Sequence, residues 1–178
     1  KAIRGARKSI TYAQYLYQDG AIAYELAEAF AERCRAGLTV KLLLDSHGGS
    51  KIPEDIPQLL TDAGCQLEWF RRVRLFQFIT PWELLNYNYR NHRRILVIDG
   101  TLGFTGGHGV AEEWTGDGRT DGKWRDTDVR VEGPIVQQLQ AAFVESWRDT
   151  TGHILGGDLY FPALKPVGKV NAQVVKSS

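Results

Sequence analysis

Between positions 91 and 107 a histidine, His92, stands two residues before a cation, Arg94, and seven before an acid, Asp99, and two glycines, Gly106 and Gly107, follow. The run Ile95-Leu96-Val97-Ile98 alternates with these polar residues like a strand, and Asp99-Gly100 is a strong hairpin signal. A two-residue loop would pair Ile98 with Thr101, setting Thr105 opposite Arg94 and Gly107 opposite His92. Side chains alternate faces along a strand, so His92, Arg94, Thr105 and Gly107 would share one face. That face offers an imidazole, a fixed cation, a hydroxyl and a bare backbone. The set suits phosphoryl chemistry. An imidazole near its unperturbed pKa attacks phosphorus without prior deprotonation, and a guanidinium grips the non-bridging oxygens. Asp99 falls on the other face, at the turn, and is expected to position rather than react.

The elements that must hold this hairpin are legible on either side. Ser9 to Tyr17 reads as a strand, with Asp19 as N-cap of a helix bearing Ile22, Leu26, Phe30 and Cys34 every fourth residue and ending at Gly37. Leu38 to Leu44 is a buried strand, and the strand–helix–strand unit predicts parallel pairing. A short helix near Glu54 to Ala63 leads through Gly64 into a strand from Cys65 to Phe70. Beyond the hairpin, Asp128 to Glu132 alternates like a strand. Gly133-Pro134 opens a helix with Ile135, Leu139, Phe143 and Trp147 on one face, and Gly152 lies past its end. The fold class is α/β, a mixed sheet flanked by helices.

At 178 residues the chain can bury one sizeable core. A net charge of +1 argues against a general polyanion binder, yet the charge is uneven. Trp69 to Arg94 holds six arginines (71, 72, 74, 90, 93, 94) against Glu83 alone, a basic lip beside the histidine. Ala111 to Glu132 holds seven acids against four bases. The stretch from Leu75 to Arg90 mixes aromatics with arginine, which fits a lipid-contacting loop, a loop tucked onto a core, or a surface that stacks single-stranded nucleic acid. Nothing is long and apolar enough to span a bilayer. The two cysteines, Cys34 and Cys65, read as buried free thiols. Asp45-Ser46-His47-Gly48-Gly49 reads as a polar turn, and neither His108 nor His153 gains a role from spacing. With no methionine, and with Val174-Val175-Lys176 reading as the start of a strand, the chain is expected to be cut from a longer reading frame at both ends.

The motif His92-x-Arg94-x-x-x-x-Asp99 resembles the H-x-K-x-x-x-x-D signature of the phospholipase D superfamily, with arginine in the place of the usual lysine. The ordered segments NHRRILVIDGTLGFTGG, KWRDTDVRVEGPIV, LQAAFVESWRDTTG and GDLYFP are similar to the cardiolipin synthase branch across nearly the whole chain. The resemblance implies a phospholipase D-like half over residues 1–162, with 163–178 as a linker and the start of a second, missing half. It implies a phosphatidyltransferase or phosphodiesterase working through a phosphohistidine on His92, with no metal and no cofactor. Arg94 and Asp99 complete the motif, and Asp126 stands where the family places an acid bonded to an active-site histidine, although Asp128 competes for that role. Asn91, Thr105, Gly106 and Gly107 are expected to contact substrate, and Gly109 departs from the asparagine the wider family often has. Expected partners are a phospholipid at a bacterial cell membrane, and a second half in cis or from a homodimer. A nuclease, or a catalytically impaired phosphate-binding half, is the alternative.

Overall fold

β1 (Ser9–Gln14) is buried along its whole length and forms the centre of the sheet, so the architecture is built outward from it. The computed structural model describes residues 1–71 and 90–176. Six strands run in the order β3-β2-β1-β4-β5-β6, where β2 is Thr39–Asp45, β3 Gln66–Phe70, β4 Ile95–Ile98, β5 Leu102–Gly106 and β6 Asp128–Glu132. β1, β2 and β3 are mutually parallel, while β4 lies antiparallel to β1 and the β4-β5-β6 meander continues antiparallel. The predicted mixed sheet is therefore the observed one.

Alternation along the strands sends side chains to two cores. On one face Ile10, Tyr12, Leu42 and Leu44 meet α1 (Ala21–Arg35) and α2 (Asp55–Asp62). Ala23, Ala27 and Phe30 form the buried face of α1, with Ile22 and Leu26 only at its margin. On the other face Ala13, Leu43, Ile95 and Val97 meet Val136, Leu139, Phe143 and Trp147 of α3 (Ile135–Thr151). Gly152 ends α3 in the left-handed region, as its position foretold.

Four local expectations need correction. β1 stops at Gln14, and Tyr17 joins only an isolated bridge to Val110. Asp19 does not cap α1. Gly20 is the N-cap residue, and the carboxylate of distant Glu112 reaches the Ile22 N–H at 3.4 Å. The free N–H groups of that first turn draw the Glu112 carboxyl below its usual pKa. Cys34 and Cys65 are not free: they form a disulfide, because the last turn of α1 and the start of β3 converge to 5.4 Å between Cα atoms. Residues 171–176 form no strand. They lie against α3, where Val174 N–H donates to Gln138 Oε1 and Lys176 bridges Glu145.

The hairpin loop is one residue longer than the two-residue reading. Asp99 and Gly100 both sit at positive φ, 53° and 64°, and the Thr101 N–H donates to the Ile98 carbonyl. Thr101 then adds a residue before pairing begins, so Ile98 faces Leu102 and Ile95 faces Thr105. Gly100 is needed twice, for its φ and because a Cβ there would press on Pro162 and the Tyr160 carbonyl.

Candidate active site

The residues able to do chemistry gather at one end of the sheet: the carboxyl ends of β1, β2 and β5 and the amino ends of β4 and β6. In open α/β sheets this is where the strands' carboxyl ends leave room for ligands. Asp45, 1% exposed, organises the approach. Its carboxylate accepts the N–H groups of His47 and Gly48 on one oxygen and of Asn91 on the other. A buried acid holding three backbone donors fixes where the chain comes in toward His92. Asn91 is itself buried, and its side-chain oxygen accepts the Arg93 N–H.

His92 is exposed and stacks on Tyr15, with ring centroids 3.7 Å apart and planes 21° from parallel. The stack limits the imidazole's rotation while leaving its edge open to solvent. Arg94 follows on β4's approach with its Nε buried, and among the described residues its guanidinium has no hydrogen-bond or ion-pair partner. An unspent, part-buried guanidinium is a poised anion site. Arg93 differs entirely. It is tied to Ser146 Oγ, the Ala142 carbonyl and the Glu145 carboxylate, so it braces α3. The predicted basic lip is thus divided, and its residues 72 and 74, like the aromatic stretch 75–89, lie outside the described residues.

A cleft of about 550 Å³ opens here, with His92, Arg94, Thr105 and Gly106 on its sheet side and Asp149 and Lys176 among its charged lining. The one-residue slip of the hairpin changes who faces whom. Thr105 is opposite Ile95, not Arg94, and its hydroxyl is spent on the Arg94 carbonyl at 2.7 Å. Gly106, paired with Asp128 on β6, now takes the place beside Arg94. A Cβ at Gly106 would overlap the Asp128 carboxylate, and one at Gly107 the Asp126 carboxylate, so both glycines exist to let acids close over the backbone. Burial raises the Tyr12 phenol pKa well above its usual value, with Arg94 pulling it down and Asp128 pushing it up.

Asp99 is remote from the cleft's chemistry. Its carboxylate accepts the N–H groups of Arg7, Lys8 and Ser9, the closest at 2.7 Å, and so pins the turn to the chain leading into β1. Asp126 precedes β6 and bonds only the Thr127 N–H among the described residues. Asp128 Oδ2 lies 3.0 Å from Nδ1 of His108. Sequence reasoning passed over His108. Gly109 leaves room for Leu16 and Trp114, which an asparagine would strike.

Comparison with known proteins fits this arrangement. Cardiolipin synthase A of Pseudomonas fluorescens is 37% identical over 147 residues, covering 82% of this chain and 29% of that protein. The cardiolipin synthase of Halalkalibacterium halodurans is 36% identical over 165 residues, covering 92% of this chain and 32% of that one. Nuc of Salmonella typhimurium, a phospholipase D family member, matches the fold with a TM-score of 0.54 over 85% of this chain and 82% of its own, at 15% identity. Over most of its length the chain is homologous to one part of these cardiolipin synthases, and it shares the fold of Nuc. No protein-family model matches it. As a homologue it spans about a third of the length of the curated relatives it matches. Among the described residues no helix is long and apolar enough to cross a membrane.

Proposed function

We propose that the chain supplies the nucleophilic part of a phosphatidyltransferase site of the cardiolipin synthase type. One observation carries the reading: an exposed, stacked imidazole at His92 lies two residues from a guanidinium that the rest of the described fold leaves unpaired. His92 attacks the phosphorus of a phosphatidylglycerol-type donor, and the bond from phosphorus to the departing glycerol oxygen breaks. A phosphatidyl-histidine results, and the hydroxyl of an acceptor lipid then displaces the imidazole. Arg94 holds the non-bridging oxygens, and it reaches further than the usual lysine while keeping the charge. Asn91 and Asp99 act by position, through Asp45 and the chain leading into β1. Residues 1–162 form the domain, and a second motif, from further along the same polypeptide or from another copy, completes the pocket at a bacterial membrane surface. A single motif on its own is expected to be inactive.

The test is His92→Gln in the full-length protein with phosphatidylglycerol vesicles. Cardiolipin formation should fall by orders of magnitude with the thermal transition unchanged. An acid-labile phosphoenzyme should be trapped with the native protein alone. Undiminished cardiolipin formation would refute the assignment.

A further inference from the structure

The two rings of the His92–Tyr15 stack are held from both sides by one buried carboxylate. Asp45 accepts the Asn91 N–H on one oxygen, and Asn91 immediately precedes His92. On its other oxygen it accepts the Gly48 N–H. Gly48 lies directly against Tyr15. A Cβ there would strike the Tyr15 carbonyl and crowd its ring at Cδ2, and the Gly48 carbonyl accepts the Tyr17 N–H at 3.3 Å. The loop after β2 thus fixes Tyr15, and the same loop's acid fixes the approach to His92. Tyr15 is half-buried, whereas His92 is exposed, so one face of the imidazole is covered by the phenol ring. The centroid distance of 3.7 Å is well inside the roughly 6 Å over which an aromatic face attracts a cation.

We propose that Tyr15 is a positioning residue of the transfer reaction and that its ring face steadies the positive charge His92 gains when it bonds to phosphorus. Any bulky side chain could limit the imidazole's rotation. An aromatic face adds a negative quadrupole aimed at the ring that reacts. In the first step a nitrogen of His92 gives its lone pair to phosphorus. The imidazole keeps its other N–H and so becomes cationic, while the P–O electrons leave with the glycerol oxygen, which takes a proton from an acid of the second motif. In the second step the acceptor hydroxyl returns that proton, its oxygen bonds to phosphorus, and the lone pair goes back to His92. Charge appears on the ring in the transition state and is absent before it. A group that stabilises only that charge raises kcat and leaves KM alone. The inference rests on His92 being the nucleophile.

The test is a graded series at position 15 of the full-length protein, assayed for transfer from phosphatidylglycerol vesicles. Tyr15→Phe should keep most of the activity. Replacing that phenylalanine by its mono-, di- and trifluorinated forms drains the ring face of negative charge while hardly changing its size. Over the series kcat should fall stepwise, by about 2- to 30-fold in total, with KM and the thermal transition unchanged. Tyr15→Leu should lose at least as much as the last member. A flat series, or a Tyr15→Phe loss as large as that of Tyr15→Leu, would overturn the proposal. His92→Gln separates it from the reading it rests on. If that variant keeps full transfer, both fall, whereas a flat series beside an inactive His92→Gln removes the Tyr15 role alone.

Discussion

β2 and β5 hold matching places, each one strand in from an edge of the sheet, and they are filled in opposite ways. β2 buries five of its seven residues between the two helical layers, and its neighbourhood is cross-linked through Cys34 and Cys65. β5 buries only Gly103 of its five and ends in the Gly106-Gly107 pair, over which two carboxylates fold. One side is packed to hold shape. The other keeps backbone bare so that charged groups can approach one another and a substrate. Core packing is close to crystal density, which leaves no room for such groups. The comparison teaches that one continuous sheet can keep its tightest packing on one strand and its barest backbone on another, with Asp45 at the end of β2 joining the packed side to the approach of His92.

Substitutions that probe the two sides separately can break this contrast. Leu42→Ala, at a fully buried β2 position, should cost about 2–5 kcal/mol in denaturant unfolding. A cost no larger than that of a surface change would mean β2 is not the scaffold. Reducing the Cys34–Cys65 bridge, which spans 31 residues, should remove about 2–4 kcal/mol and leave the His92 stack intact. Tyr15 and His92 ring shifts in NMR, with and without reductant, would register any spread of that loss to the site. Gly106→Ala should do the reverse. By displacing Asp128 it should reduce transfer by up to about 10²-fold, at a stability cost of about 1–2 kcal/mol, because the backbone at Thr127 and Asp128 must give way as well. Loss of stability on the scale of Leu42→Ala would erase the distinction.

The smallest effect should come from the ion pairs under residues 171–176. Lys176 foremost, with Arg93 behind it, draws the Glu145 carboxyl below its usual pKa. A carboxyl with a depressed folded pKa stabilises at pH values above its ordinary range and loses that contribution as pH falls through the folded value. The group is well exposed, so the effect is screened. Glu145→Gln should therefore flatten a slight fall in melting temperature between neutral and acidic pH, and a wild-type curve with no such fall would remove the pair from the account.

Much of the fold could be read from local pattern, because its causes are local. The apolar alternation of Ile95 to Ile98, the Asp99-Gly100 turn and the Gly152 stop each act within a few residues. The failures have distant causes. Gly100 cannot carry a side chain because residues 160–162, some 60 positions away, lie close against it. The disulfide follows from where α1 ends relative to β3, which no spacing rule supplies. Asp19 lost the cap to Glu112 because the loop after β5 crosses the start of α1. At the site, His92 and Arg94 announced themselves by type and interval. The His108–Asp128 contact did not, since it depends on how residues 109–127 return to β6.

Asp99 joins the hairpin to Ser9 across 90 residues of chain, and this sets an order of events during synthesis. A β-hairpin closes in about 1–10 μs once its residues exist. A ribosome adding about 5–20 residues per second needs roughly 5–20 s to travel from Ser9 to Asp99. Through that interval β1 can pair with β2 on one side, while its other edge waits for β4 with its backbone donors and acceptors unmatched. The strand that ends most deeply enclosed thus spends longest as an open edge, the condition under which strands recruit the wrong partner.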